Sequence, residues 1–290
     1  MQDRVNIPYI SIRPNYISLY WQPEYRVRRT DRQLRNQVNL LDTAHKGVIS
    51  KKANRRIENA ICWLLELSDY KKFYSKRHKR YFSFKVNFFT LTLSSKQIHS
   101  DNEIKKKLLN HFLTVLREKY GVTDYLWRAE AQKNKNIHFH IVSNKFVPYW
   151  ELRTIWNQIQ NKLGYVDRFF DKYGHNDPNS TDVHSIKKIK NLPRYLSKYC
   201  TKKSVYREIE GKQWGLSYSL SRIKSAITVP SYAMRKEFDW LCHKFKSHFR
   251  DYDYYAVLYI SAEKWTKMFK HELYKLYDTY LQEYKDLEFT

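Results

Sequence analysis

The chain has 290 residues and a mass of 35.5 kDa, room for one large domain or two small ones. Lys and Arg outnumber Asp and Glu by 54 to 29, a formal charge of +25 at pH 7. Self-repulsion on that scale calls for a polyanion partner, and 25 Tyr, 15 Phe and 8 Trp offer stacking surfaces for unpaired bases. A basic protein from an AT-rich genome would account for some of the aromatic count but not for the acid deficit. Cys62, Cys200 and Cys242 lie far apart, which excludes a disulfide framework and a structural zinc site and suits a reducing cytoplasm. Met1 to Tyr16 is polar and broken by Pro8 and Pro14, unlike a signal peptide. No apolar run approaches the roughly 18 residues of a membrane span.

In chain order, residues 1 to about 50 carry Pro and Arg with weak periodicity and read as an irregular arm. Apolar residues recur at helical spacing from Ser50 to Tyr74, predicting one helix. Lys71 to Arg80, KKFYSKRHKR, is a basic connector, either a phosphate-contacting strip or a solvated linker. Phe82 to Ser94 is β-branched and aromatic throughout and predicts a buried strand. Ser100 and Glu103 form a capping box that opens a helix ending at Gly121. Pro148 and Gly164 bracket a second helix. A polar loop leads to a short strand, VHSIKKI, and Pro193 starts a third helix. Gly211 to Ser221 predicts another strand. A helix over 232–249, a strand over 254–260 and a long final helix complete the chain. The expected fold is α+β, a central antiparallel β-sheet with flanking helices, with helical N- and C-terminal extensions.

The chemistry concentrates in Tyr125 to Ser143, YLWRAEAQKNKNIHFHIVS. It reads as two strands joined by a tight turn at KNKN. His138 and His140 flank Phe139, so both imidazoles lie on one face of the second strand. With Asn134–Asn136 as the loop, Lys133 pairs with Ile137, Gln132 faces His138 and Glu130 faces His140. Two imidazoles and a carboxylate suit a divalent cation. One residue of loop length would swap the faces, and the alternative is a polar strand face without metal.

In the helix after Pro193, Tyr195 and Tyr199 are four apart and project from one face. Spacing alone carries little, since Tyr16/Tyr20, Tyr70/Tyr74, Tyr255/Tyr259 and Tyr280/Tyr284 share it. Lysine marks this pair: Lys198 and Lys202 each follow a tyrosine by three. A phenol titrates near pH 10, so neighbouring ammonium groups would ease its attack on a phosphate. The alternative is a basic helix lying on DNA phosphates.

These blocks together resemble the HUH endonucleases, His-hydrophobe-His nucleases that start rolling-circle replication. FFTLTLS is similar to their first motif, His138-Phe139-His140 to the second and Tyr195 to Lys202 to the third. The two-tyrosine form resembles the replication initiators of microviruses, gokushovirus-like phages in particular, and the likeness covers roughly residues 82 to 222. The resemblance implies an HUH/Rep-type, RRM-like sheet, Mg²⁺ or Mn²⁺ on His138, His140 and Glu130, and attack by Tyr195 or Tyr199. Gln132 competes with Glu130 as third ligand. The family's hairpin turn commonly carries Gly, which KNKN lacks.

Three regions are therefore expected: an arm and helix over 1–80, an endonuclease domain over 81–225 and a mainly helical region over 226–290. The expected activity is metal-dependent nicking of single-stranded DNA at a replication origin. It would proceed through a 5′-phosphotyrosine, with Lys198 and Lys202 steadying the phosphate and religation following. A host helicase and polymerase are the expected partners, in the bacterial host cytoplasm if the chain is phage-encoded, and no membrane is involved. The alternatives are a non-catalytic, basic single-stranded-DNA-binding protein or an HUH transposase.

Overall fold

The computed structural model describes residues 6–23, 49–75, 79–184, 192–201, 206–268 and 271–286. The elements run β1 (Asn6–Arg13), β2 (Tyr16–Pro23), α1 (Lys51–Leu67), β3 (Lys71–Ser75), β4 (Arg80–Phe84) and β5 (Asn87–Thr92). A helical run follows: α2 (Asp101–Ile104), a π-helical turn (Lys105–Leu109) and α3 (Asn110–Tyr120). Next come β6 (Tyr125–Ala131), β7 (Ile137–Ser143), α4 (Tyr149–Asn161), α5 (Tyr165–Tyr173), β8 (Thr181–Val183) and α6 (Leu192–Thr201). The chain continues through β9 (Trp214–Leu216), α7 (Tyr218–Arg222), β10 (Ala226–Thr228) and α8 (Tyr232–Lys244). A 3-10 turn (Lys246–His248) leads to β11 (Phe249–Tyr252), β12 (Tyr255–Leu258), α9 (Ala262–Trp265) and α10 (Glu272–Asp286). The fold is α+β with antiparallel sheets.

Two compact units divide it: Met1–Ala44 with Ile223–Thr290, and His45–Arg222. In the second, five strands run in the order β8-β5-β7-β6-β9. Strand alternation sends Phe89, Leu91, Ala129, Ile137, Phe139 and Ile141 to one face, which packs on Leu108, Phe112 and Leu116 and on α4 through Leu152 and Trp156. Each such fully buried side chain contributes about 1.5–3 kcal/mol. Trp156 Nε1 donates to the Thr92 carbonyl at 2.6 Å, and Gln160 Oε1 accepts from the Ser94 N–H at 2.8 Å. These bonds pin α4 to the end of β5. The opposite face carries Thr90, Thr92, Arg128, Glu130, His138 and His140. On that side α1 packs against α6, burying Ile57, Ile61 and Leu64 on one helical stripe.

The Ser50 and Ser100 caps form as expected, their hydroxyls accepting from Ala53 N–H and Glu103 N–H. Gly121 takes the left-handed conformation that ends α3. Several elements depart from expectation. The helix opening at Ser50 stops at Leu67, and Lys71 to Phe84 folds back as the β3–β4 hairpin, where aromatic residues on both strands favour pairing over a solvated linker. The strand expected over 82–94 is therefore divided between β4 and β5. Residues 165–173 form α5 after Gly164, and β9 is followed by α7. Of VHSIKKI, β8 includes Val183, and residues 185–191 lie outside the described residues.

In the first unit the strand order is β10-β1-β2-β12-β11. Residues expected to be an irregular arm thus include a two-stranded hairpin, turning at Pro14-Asn15 and pairing Tyr9 with Tyr20 and Ile12 with Ile17. The C-terminal residues add three strands to it, so they are not helical alone. The helix expected over 232–249 ends at Lys244, and its last expected residue begins β11. Ile10, Ile12, Ile17, Leu258, Phe238, Trp265 and Tyr277 are buried here.

Candidate active site

The β6–β7 register decides which side chain joins the histidines. Ala131 pairs with Ile137, Glu130 with His138 and Arg128 with His140. The loop is therefore Lys133–Lys135, one residue earlier than the expected Asn134–Asn136, with Gln132 N–H donating to the Asn136 carbonyl at 2.9 Å. Moving a three-residue loop by one position shifts the pairing by two, so every side chain keeps its face. Lys135 has φ 68°, the left-handed residue that closes a three-residue hairpin loop. Asn136 is held from outside: its carboxamide accepts from Gln97 N–H at 2.9 Å and donates to the Ser95 carbonyl at 2.8 Å. Those bonds select this register over the expected one.

Glu130 thus stands across from His138 and reaches diagonally to His140, whose Nε2 lies 2.7 Å from Glu130 Oε1. One ligand atom each from Glu130, His138 and His140 lies within 4.8 Å of the others. The imidazoles are 8% and 5% exposed, and neither Nδ1 has a hydrogen-bond partner among the described residues. Burial pushes the His138 imidazole down to about 3, so its lone pair stays available at neutral pH. Burial pushes the Glu130 carboxyl up, but the His140 hydrogen bond and neighbouring charges more than offset this and hold it ionised. Two neutral nitrogens and a carboxylate oxygen, with buried polar atoms unspent, fit a divalent cation. Gln132, the competing candidate, sits at the start of the turn, beyond the last pair of the ladder.

Residues from other elements close the site. Arg128, 1% exposed, donates to the Gln213 carbonyl at 2.9 Å and to the Ala129 carbonyl, fixing a cation beside Glu130. Burial lowers its guanidinium to about 10, opposed by the Glu130 charge. The Phe88 ring stacks on His184 at 4.4 Å and meets the rings of Tyr195 at 6.3 Å and Tyr199 at 5.7 Å. Tyr195 and Tyr199 lie 4.8 Å apart on one face of α6, as their spacing predicts. Tyr199 is also 5.9 Å from the His140 ring and 6.2 Å from His184. Burial, then a hydrogen bond to Tyr199, pushes the Tyr195 phenol up to about 12. Lys198 is exposed on the same helix, and Lys202 lies outside the described residues. Arg128 and His184 escaped the sequence reading. Arg128 shares the even-numbered face with Glu130, a signal that strand alternation does carry; His184 gives none.

Residues 86–204 match the family model of a replication-associated protein of the ORF2 type. The match runs from β5 through the histidine hairpin to α6, so it takes in every candidate ligand and nucleophile. It supports a replication initiator family, with DNA as the partner. No curated protein and no solved structure matches the chain. Among the described residues, no helix is long and apolar enough to cross a membrane.

Proposed function

We propose that the chain is a rolling-circle replication initiator of the HUH type, resembling those of microviruses, which nicks single-stranded DNA at the origin by transesterification. The observation that carries this reading is the approach of the Tyr199 ring to His140 within the Glu130–His138–His140 cluster. His138, His140 and Glu130 would hold Mg²⁺ or Mn²⁺, a Lewis acid for the scissile phosphate. The tyrosine oxygen bonds to phosphorus, and the bond from phosphorus to the 3′ oxygen breaks. The phenol loses its proton to solvent, and the leaving oxygen gains one to become a 3′-hydroxyl for a host polymerase. The protein keeps a 5′-phosphotyrosine whose bond energy drives religation.

Tyr199 is the first nucleophile in this reading, since it lies nearer the ligands and Tyr195 holds its own proton more tightly. Tyr195 then acts at the regenerated origin. Lys198, and Lys202 by its sequence position, steady the phosphate. Arg128 adds a fixed positive charge beneath the ligands. The test is an origin oligonucleotide incubated with Mn²⁺ and resolved on a denaturing gel. A protein–DNA adduct is expected from wild type and none from Tyr195→Phe/Tyr199→Phe. An adduct from the double variant removes the tyrosine roles, and nicking in excess chelator removes the metal. Salt-sensitive binding without any adduct identifies a non-catalytic single-strand-binding protein instead.

A further inference from the structure

The β3–β4 hairpin stands outside the family match, and the reaction has no use for it. From Lys71 to Lys85 the sequence holds Lys71, Lys72, Lys76, Arg77, Lys79, Arg80 and Lys85 and not one Asp or Glu. The register pairs Phe73 with Phe82 on one face and Tyr74 with Tyr81 on the other. The phenylalanine face leans on the domain: the rings of Phe73 and Phe84 lie 5.4 and 5.3 Å from Phe146. The base of the ribbon is tied down by Lys71 Nζ, which donates to the Lys85 carbonyl at 2.9 Å, and by Lys85 Nζ, which donates to the Leu65 carbonyl at 3.0 Å. The other face is open. Tyr74 and Tyr81 are 45% and 71% exposed, with ring centroids 5.1 Å apart, beside exposed Lys72 and Arg80. An aromatic pair so placed loses its usual reason, burial, and a polyanion is what the surrounding cations fit.

We propose that this ribbon is a second nucleic-acid contact, a stacking arm for single-stranded DNA outside the reaction centre. Ring faces left in solvent can take unpaired bases, whereas duplex bases are already stacked on one another and offer no face. The ribbon leads directly into β5, and Thr90, which pairs with His140, is three residues past Asn87, about 10 Å along the strand. A strand held on Tyr74 and Tyr81 therefore passes within a few nucleotides of the histidines. The choice of DNA rests on the function proposed above, but the binding test needs neither metal nor origin sequence, so a failed nicking assay leaves it standing or falling on its own.

The measurement is fluorescence anisotropy of a labelled oligodeoxythymidylate and of a hairpin duplex, titrated with full-length protein in chelator. Tyr74→Ala/Tyr81→Ala should weaken oligodeoxythymidylate binding by about tenfold, the loss of one stacked base, and leave the duplex unchanged. Lys72→Gln/Lys79→Gln/Arg80→Gln should make the dependence of log K on log salt shallower by about 2 for the single strand. Unchanged single-strand affinity in the tyrosine variant overturns the proposal. So does an equal loss on both probes, which would mark a duplex-binding ribbon, or an unaltered salt slope in the basic-residue variant.

Discussion

Replacing Asp101 by Asn probes what holds the hairpin register on which the candidate site depends. The Asp101 carboxylate is 3% exposed and accepts from Arg207 at 2.6 and 2.7 Å, from Gln97 Nε2 at 2.8 Å and from Glu210 N–H at 3.0 Å. Gln97 in turn accepts from Ile137 N–H at 2.6 Å, and Arg207 Nε donates to the Lys135 carbonyl at 2.7 Å. One carboxylate thus anchors both clasps on the turn. Breaking a buried pair from one side costs about 3–5 kcal/mol, and Arg207 is partly exposed, so about 2–3 kcal/mol is expected here. Burial pushes the Asp101 carboxyl up, but the bonds from Arg207, Gln97 and Glu210 more than offset it, leaving it below its ordinary value. A depressed carboxyl stabilises the fold above its unfolded pKa of about 3.9, and that contribution fades as pH falls through the folded value. Urea melts of wild type and Asp101→Asn should differ by this amount at neutral pH and converge on acidification. Equal midpoints at neutral pH, or a gap that widens in acid, would refute the clasp.

Lys135→Gly should stabilise the fold by about 0.5–1 kcal/mol, since glycine takes a φ of 68° without a Cβ penalty; thermal melts read this. Gly215→Ala should cost about 1–3 kcal/mol by overpacking, because the added Cβ would meet Trp127 Nε1 at 2.5 Å; the same melts check it. Glu130→Gln should weaken Mn²⁺ binding at least tenfold by calorimetry, as the only carboxylate of the cluster is lost.

The sequence resolves the parts of the site that follow from periodicity. Two histidines one residue apart on a strand share a face, two tyrosines one helical turn apart share another, and both are found so. The fold class follows from the same periods, as do the caps at Ser50 and Ser100. What it leaves open are contacts between distant segments. The hairpin loop moved by one residue because Asn136 binds Gln97 and Ser95, 39 and 41 positions earlier, and nothing within KNKN carries that information. The histidine at 184 reaches the site through its stack on Phe88, again a long-range contact. Likewise the β1–β2 hairpin looks irregular by itself, because the strands that flank it, β10 and β12, come from the far end of the chain.

That last separation bears on how the chain is made. The first unit's sheet takes β1 and β2 from before residue 45 and β10, β11 and β12 from after residue 222. A two-stranded hairpin is marginal by itself in water. During synthesis it therefore waits, while residues 45–222, a continuous segment, can fold first. Pairing across so long an interval closes late and slowly. A chain cut after Arg222 would keep every candidate ligand and nucleophile yet strand two orphan strands with open edges, a surface prone to aggregation.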